Sequence, residues 1–182
     1  MKKIILTALL ATAGFVAQAQ KHTLLVYGDL GITSGKSAAD VKSTSFKLTP
    51  GVGYQFTDNW TAGVNLRTES WKQGSPSVKS SAFGAGPFIR YAYPLSDIFA
   101  VYGQFNANVV SGKTGDVKSN GFQGELFPAI GVNLKNGFAL NFNFGSLALN
   151  TSKVKGASSG SSNFGLQFGS GAGFGISKNF GL

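Results

Sequence analysis

The chain has no cysteine, a single histidine and a single methionine, and only 13% of its residues are charged. Without cysteine it can form no disulfide, thiolate metal site or thiol nucleophile. His22 stands alone near the start, so no Ser-His-Asp arrangement can be built within the body of the chain, and no cluster has metal-ligand spacing. Long apolar runs are equally scarce. Beyond the first twenty residues none approaches the ~20 residues of a membrane helix, and no segment sustains a 3.6-residue period. What the chain does hold is 26 glycines and 16 phenylalanines in 182 residues. With a mean hydropathy of +0.07, it is too aromatic for disorder and too polar for a helical membrane bundle. These limits leave a glycine- and aromatic-rich, strand-forming chain of one domain.

The first residues read as an export leader. Lys2 and Lys3 form a basic start, Ile4 to Val16 an apolar core, and Ala17-Gln18-Ala19 a small-residue cleavage site. Residues 1–19 are therefore expected to be a signal peptide and 20–182 the folded domain.

Over that domain a period of two recurs between breaks rich in Gly, Ser, Asn, Asp and Lys. The alternation predicts eight strands, at 23–33, 45–56, 60–71, 81–93, 98–111, 120–134, 138–149 and 163–180. The breaks at 57–59, 94–97 and 135–137 are tight; those at 34–44, 72–80, 112–119 and 150–162 are long and polar. Short turns at one end and long loops at the other are the mark of an up-and-down outer-membrane barrel. The predicted fold is an all-β, eight-stranded antiparallel transmembrane β-barrel.

Parity assigns the faces. One set holds Leu24, Val26, Leu30 and Ile32, then Phe46, Leu48, Val52 and Tyr54, then Trp60, Val64 and Leu66, and continues through Phe138, Leu140, Phe142 and Phe144. The other set carries Gly, Asn, Gln and charge. A soluble sandwich or lipocalin-like barrel would alternate in the same way with its apolar face turned inward. Charge separates the cases. Asp29, Lys47, Arg67, Glu69, Arg90 and Glu125 all lie on the glycine-bearing parity and balance three against three. Such a set suits an enclosed polar plug whose members pair, because an unpaired buried charge is costly. Acid–base machinery or a gate is the other reading of Arg67, Glu69, Arg90 and Glu125.

Pro50, Pro87 and Pro128 fall inside strands, where proline removes a ladder donor. Each stands seven residues before a turn position, which predicts one shared height, a lipid-facing side chain and a local bulge or lost bond. Tyr54, Phe56, Trp60, Tyr91, Tyr93 and Phe99 flank the short turns as an interfacial girdle would.

The segment "FGAGPFIRYAYPLSDIFAVYGQFN" resembles the outer-membrane β-barrel (porin-like) family of the OmpA/OmpX type, whose members carry an F-x-R-Y-Y-x-P-L-like strand, turn and strand; Tyr91-Ala92-Tyr93 departs slightly from it. The resemblance implies an integral outer-membrane protein of a diderm bacterium, with no particular substrate. The end of the chain, with Phe174, Ile176, Phe180 and Leu182 on one parity, is similar to a barrel-assembly signal that Lys178 interrupts. "GSGAGFG" superficially matches a nucleotide-binding glycine pattern, but no helix follows it.

Loss of the leader leaves 14 of the 16 basic residues against 7 acidic ones. The four long breaks hold Lys36, Lys42, Lys72, Lys79, Lys113, Lys118, Lys153 and Lys155 against Asp40 and Asp116, so nearly all the excess charge is expected outside. An exported barrel has no route to nucleic acid; outer-membrane lipid and anionic lipopolysaccharide are the nearer partners, besides the barrel-assembly machinery. The expected function is non-enzymatic and cofactor-free, in envelope structure or surface interaction, with a narrow porin-like channel as the alternative.

Overall fold

A computed structural model describes residues 22–36, 42–74 and 78–181; the expected leader lies outside them. Eight strands run β1 Thr23–Lys36, β2 Lys42–Gln55, β3 Trp60–Gln73, β4 Val78–Pro94, β5 Phe99–Thr114, β6 Val117–Asn133, β7 Phe138–Val154 and β8 Ser161–Gly181. Each pairs antiparallel with its neighbours, and β8 returns to β1 to close the barrel. All eight predicted strands are present. The closing ladder is the shortest, joining Thr23–Asp29 to Gly175–Gly181.

The three short turns share one device. The backbone N–H groups of Phe56, Leu95 and Leu134 donate to the carbonyls of Trp60, Phe99 and Phe138. In the first two, a turn hydroxyl satisfies the returning amides: Thr57 Oγ1 accepts from Asn59 and Trp60, and Ser96 Oγ from Ile98 and Phe99. The third instead uses Asn136 and Gly137 at φ 61° and 74°, which asparagine and glycine tolerate best.

At the opposite end the structure corrects the sequence reading. The described parts of the expected long loops 34–44, 72–80, 112–119 and 150–162 are mostly strand, with 37–41, Asp40 among them, and 75–77 outside the described residues; Lys113 and Lys118 face each other across a hairpin whose connection is Gly115-Asp116. These extensions carry Ser, Thr, Gly and Lys, so they show no hydrophobic period for the sequence to reveal. The backbone ladder continues without it, helped by cross-strand hydroxyl pairs such as Ser80–Thr114 and Ser152–Ser161, both 2.9 Å.

Side chains sort as the parity requires. Among the described residues only six hydrophobic ones are buried, including Leu25, Tyr27, Phe88 and Phe127, while Leu66, Phe83, Ile89, Phe105, Phe142 and Phe174 stand exposed around the outside. An inside-out distribution of this kind fits a lipid solvent and no aqueous one. The prolines also behave as expected. Pro50 keeps Gly28 on β1 while pairing with β3 lapses between Leu48↔Thr68 and Gly51↔Asn65. Pro87 keeps Val64 and the lapse falls between Ala85↔Val109 and Phe88↔Asn106. Pro128 keeps Gly103, and the β6–β7 register shifts between Leu126 and Ala129.

Strand β7 adds a feature the sequence reading missed. Against β6 the strand carries one extra residue between Asn143 and Leu147, whereas against β8 the surplus lies on β8, four residues between Phe168 and Gly173 facing one between Asn143 and Gly145; Leu147 and Leu149 then face outward on the parity opposite to Phe142. The signal was the three-residue step from Phe144 to Leu147.

Val64 lies on the outer face, 56% exposed, between Val52 and Pro87 at mid-height. Val64→Arg should therefore cost about 2–4 kcal/mol in urea unfolding from lipid vesicles, and Ser70→Arg, near the outer end of the same strand, about 0–1 kcal/mol. Equal, small costs at both positions would contradict a hydrocarbon environment around Val64.

Candidate functional site: the barrel lumen and its outer rim

Inward side chains gather in the lumen in two tiers. In the upper tier, toward the extended strand ends, Arg67 Nη2 meets Glu69 Oε1 at 2.6 Å and Arg67 Nη1 meets Glu125 Oε2 at 3.5 Å. Arg67 and Glu69 share a face because they stand two residues apart on β3; Glu125 comes from β6, so the guanidinium spans the lumen.

The lower tier centres on Gln104 of β5, which is 0% exposed. Its carbonyl oxygen accepts from Arg90 Nε at 2.7 Å. Its amide donates to the Tyr27 hydroxyl at 2.8 Å and to Asn106 Oδ1 at 2.7 Å. The Arg90 guanidinium carbon lies 4.2 Å from the Tyr102 ring centre and 4.9 Å from that of Tyr27. Edge-on contacts of Tyr27 with Phe88 and Tyr102 with Phe127 complete the layer. Thr49 Oγ1, Asn65 Oδ1 and Asn108 Oδ1 are buried without a hydrogen-bond partner.

Of the six charges expected to form one lumen network, three are joined by ion pairs among the described residues. Arg67, Glu69 and Glu125 come together. Arg90 enters the aromatic and amide layer, where no carboxylate forms an ion pair with it among the described residues. Asp29 has its carboxylate against Gly175 of β8, and neither it nor Lys47 has an ion pair among the described residues. The sequence reading also passed over Gln104, Asn106 and Asn65. Their signal was the alternation Tyr102, Gln104, Asn106, Asn108, which places a row of amides on the inward parity.

The lysines expected in loops sit mainly on strand ends, with Lys155 the one located in a connection. Lys36 stands directly opposite Lys42, Lys72 opposite Lys79, and Lys113 opposite Lys118. All six share the outward parity of the apolar belt below them, and Lys153 does so on β7. They lie about 12–15 residues from the inner strand ends, which at ~3.3 Å per residue and a tilt of ~40° is ~30–38 Å, the upper edge of a bilayer's hydrocarbon core and the headgroups above it. Asp116 stands 3.4 Å from Lys113, an exposed pair of little energetic weight.

At the short-turn end, Trp60 and Tyr91 pack 4.9 Å apart at 62° within the expected girdle. His22 pairs through Nδ1 with the Tyr54 hydroxyl. Lys178 takes an outward position that the apolar pattern would give to a hydrophobe. Its Nζ lies 4.5 and 4.8 Å from the Phe138 and Phe180 ring centres, so the cation is held by aromatic faces.

The sequence profile of the family described as "Outer membrane protein beta-barrel domain" matches residues 5–182. No curated protein matches the chain by sequence. Among solved structures, the Yersinia pestis outer membrane protein Ail, determined as a backbone structure in a phospholipid bilayer nanodisc, matches at 14% identity and a TM-score of 0.34, covering 88% of this chain and 100% of Ail. With the profile spanning nearly the whole chain and a closed eight-stranded barrel carrying its apolar side chains outward, the protein belongs to the outer-membrane β-barrel family and resides in the outer membrane of a Gram-negative bacterium.

Proposed function

We propose that the protein is a non-enzymatic envelope component, exported by its N-terminal leader, whose outward lysine rim binds the phosphate-bearing anionic lipopolysaccharide around it. The observation that carries this reading is the direct opposition of lysines in three hairpins, Lys36↔Lys42, Lys72↔Lys79 and Lys113↔Lys118. Like charges facing each other across a ladder destabilise it, and an external layer of phosphates relieves that repulsion by bridging each pair. The outward Phe174, Ile176 and Phe180 of the last strand suit recognition by the barrel-assembly machinery.

In a titration of the folded barrel with lipopolysaccharide, the combined Lys72→Gln, Lys79→Gln, Lys113→Gln and Lys118→Gln variant should bind at least tenfold more weakly. Wild-type affinity should fall steeply as salt is raised. Unchanged affinity in the variant would remove the rim from the function. The alternative, a narrow channel, needs a wet path past Arg67, Glu125 and the Arg90–Gln104 layer. The two tiers favour a closed barrel, for which single-channel recordings should show no conductance steps in planar bilayers.

A further inference from the structure

Below Arg90, at the short-turn end, the lumen opens into a cavity of about 300 Å³. Arg90 and Tyr102 form its inner end; Thr61, Asn141 and Ser177 contribute neutral walls, and Asp58 and Asp97, from the first two short turns, also line it. Arg90 is only 6% exposed. Of the five N–H donors of a guanidinium, the Nε–H alone has a protein acceptor among the described residues. Its guanidinium carbon lies over two tyrosine rings, and the residue lines the cavity. A buried guanidinium with unused donors beside a cavity is half of a site for a planar carboxylate.

We propose that this cavity binds a small zwitterion, an amino acid or short peptide, through its carboxylate. Arg90 takes the carboxylate end-on through both Nη atoms. Asp97 opposes a multiply charged anion such as phosphate and favours a ligand that also carries an ammonium group. Asn141 Nδ2 donates to Ser177 Oγ at 2.9 Å, which leaves the Asn141 carbonyl oxygen and the Ser177 and Thr61 O–H groups for the peptide-like middle, and the volume lies at the small end of the range for ligand pockets. The site is independent of the lysine rim, which lies at the other end of the barrel, so either can fail without the other.

Protein folded in phospholipid nanodiscs would be titrated with alanyl-alanine, alaninamide, N-acetylalanine and inorganic phosphate, followed by calorimetry and by the side-chain NMR signals of Arg90 Nε–H and the Gln104 amide. Alanyl-alanine should saturate and shift both signals, alaninamide should not, and N-acetylalanine should bind more weakly. Asp97→Asn should narrow the gap between alanyl-alanine and N-acetylalanine. Arg90→Lys should weaken the dipeptide at least tenfold. Should that variant fail to fold, Asn141→Leu, in the cavity wall, should weaken it several-fold. No saturable response to the dipeptide, equal binding of alaninamide, tighter binding of phosphate, or wild-type affinity in both Arg90→Lys and Asn141→Leu would overturn the proposal.

Discussion

Replacing Gln104 by leucine should destabilise the barrel by about 3–5 kcal/mol, read as a lower urea midpoint for protein folded in lipid vesicles and a lower temperature for the gel-mobility shift on heating. The residue is fully enclosed and holds three partners from three places in the fold. Leucine preserves much of the volume but strips Arg90 Nε of its acceptor and leaves the Tyr27 hydroxyl and Asn106 Oδ1 without their donor. A buried neutral group left unsatisfied costs about 1–3 kcal/mol and a buried charge more. Asn106 keeps a long contact from Asn65 at 3.5 Å, which is why the total stays below the sum of three full penalties. Gln104→Glu supplies the control: it keeps an acceptor for Arg90, and the Tyr27 O–H can turn to donate to the carboxylate. Its cost should be clearly smaller than that of leucine. The reverse order would mean that packing volume, and not hydrogen bonding, decides this position.

The barrel was legible because its two faces meet different solvents. Wherever lipid lies outside, as at Val52, Val64 and Ile89, the period of two is written in hydrophobicity, and strand number, parity and the interruptions at the three prolines all followed from it. Where the outward positions carry no hydrophobic residue, as from Thr68 to Gln73 or Ser111 to Thr114, nothing in the residues marks the ladder, and the sequence reads as loop. The lumen was half legible for a related reason. Parity places Arg67, Glu69, Arg90 and Glu125 inside, but partner choice depends on height and on which strands face each other across the axis. Arg67 reaches Glu125 three strands away, whereas Arg90 meets an amide and two rings. A balanced count of charges could not separate these outcomes. The lysine pairs were present in the sequence as residues and absent as a pattern, since opposition needs the register.

Small residues under the inward aromatics should make a further large and separable pair of effects. A Cβ at Gly51 would fall 2.3 Å from the Tyr27 ring, whose atoms are its three nearest neighbours, whereas a Cβ at Gly63 would fall 2.1 Å from the Val52 carbonyl oxygen and 2.8 Å from the Phe88 ring. Gly63→Val should cost about 3 kcal/mol or more, because β2 backbone must move away from β3 and the cross-strand pair Gly53↔Gly63 lies at the point of contact. Removing the ring in Phe88→Ala should restore little of it, since the carbonyl clash remains. Gly51→Ala should also destabilise, by pushing the Tyr27 hydroxyl off the Gln104 amide, but the double variant with Tyr27→Ala should lose less than the sum of the single changes by about 1–3 kcal/mol. Urea midpoints for the four singles and two doubles decide the matter. Strong coupling at Gly51–Tyr27 with near-additivity at Gly63–Phe88 is the expected result, and the opposite pattern would show that the glycines serve backbone closure and not the seating of the lumen aromatics.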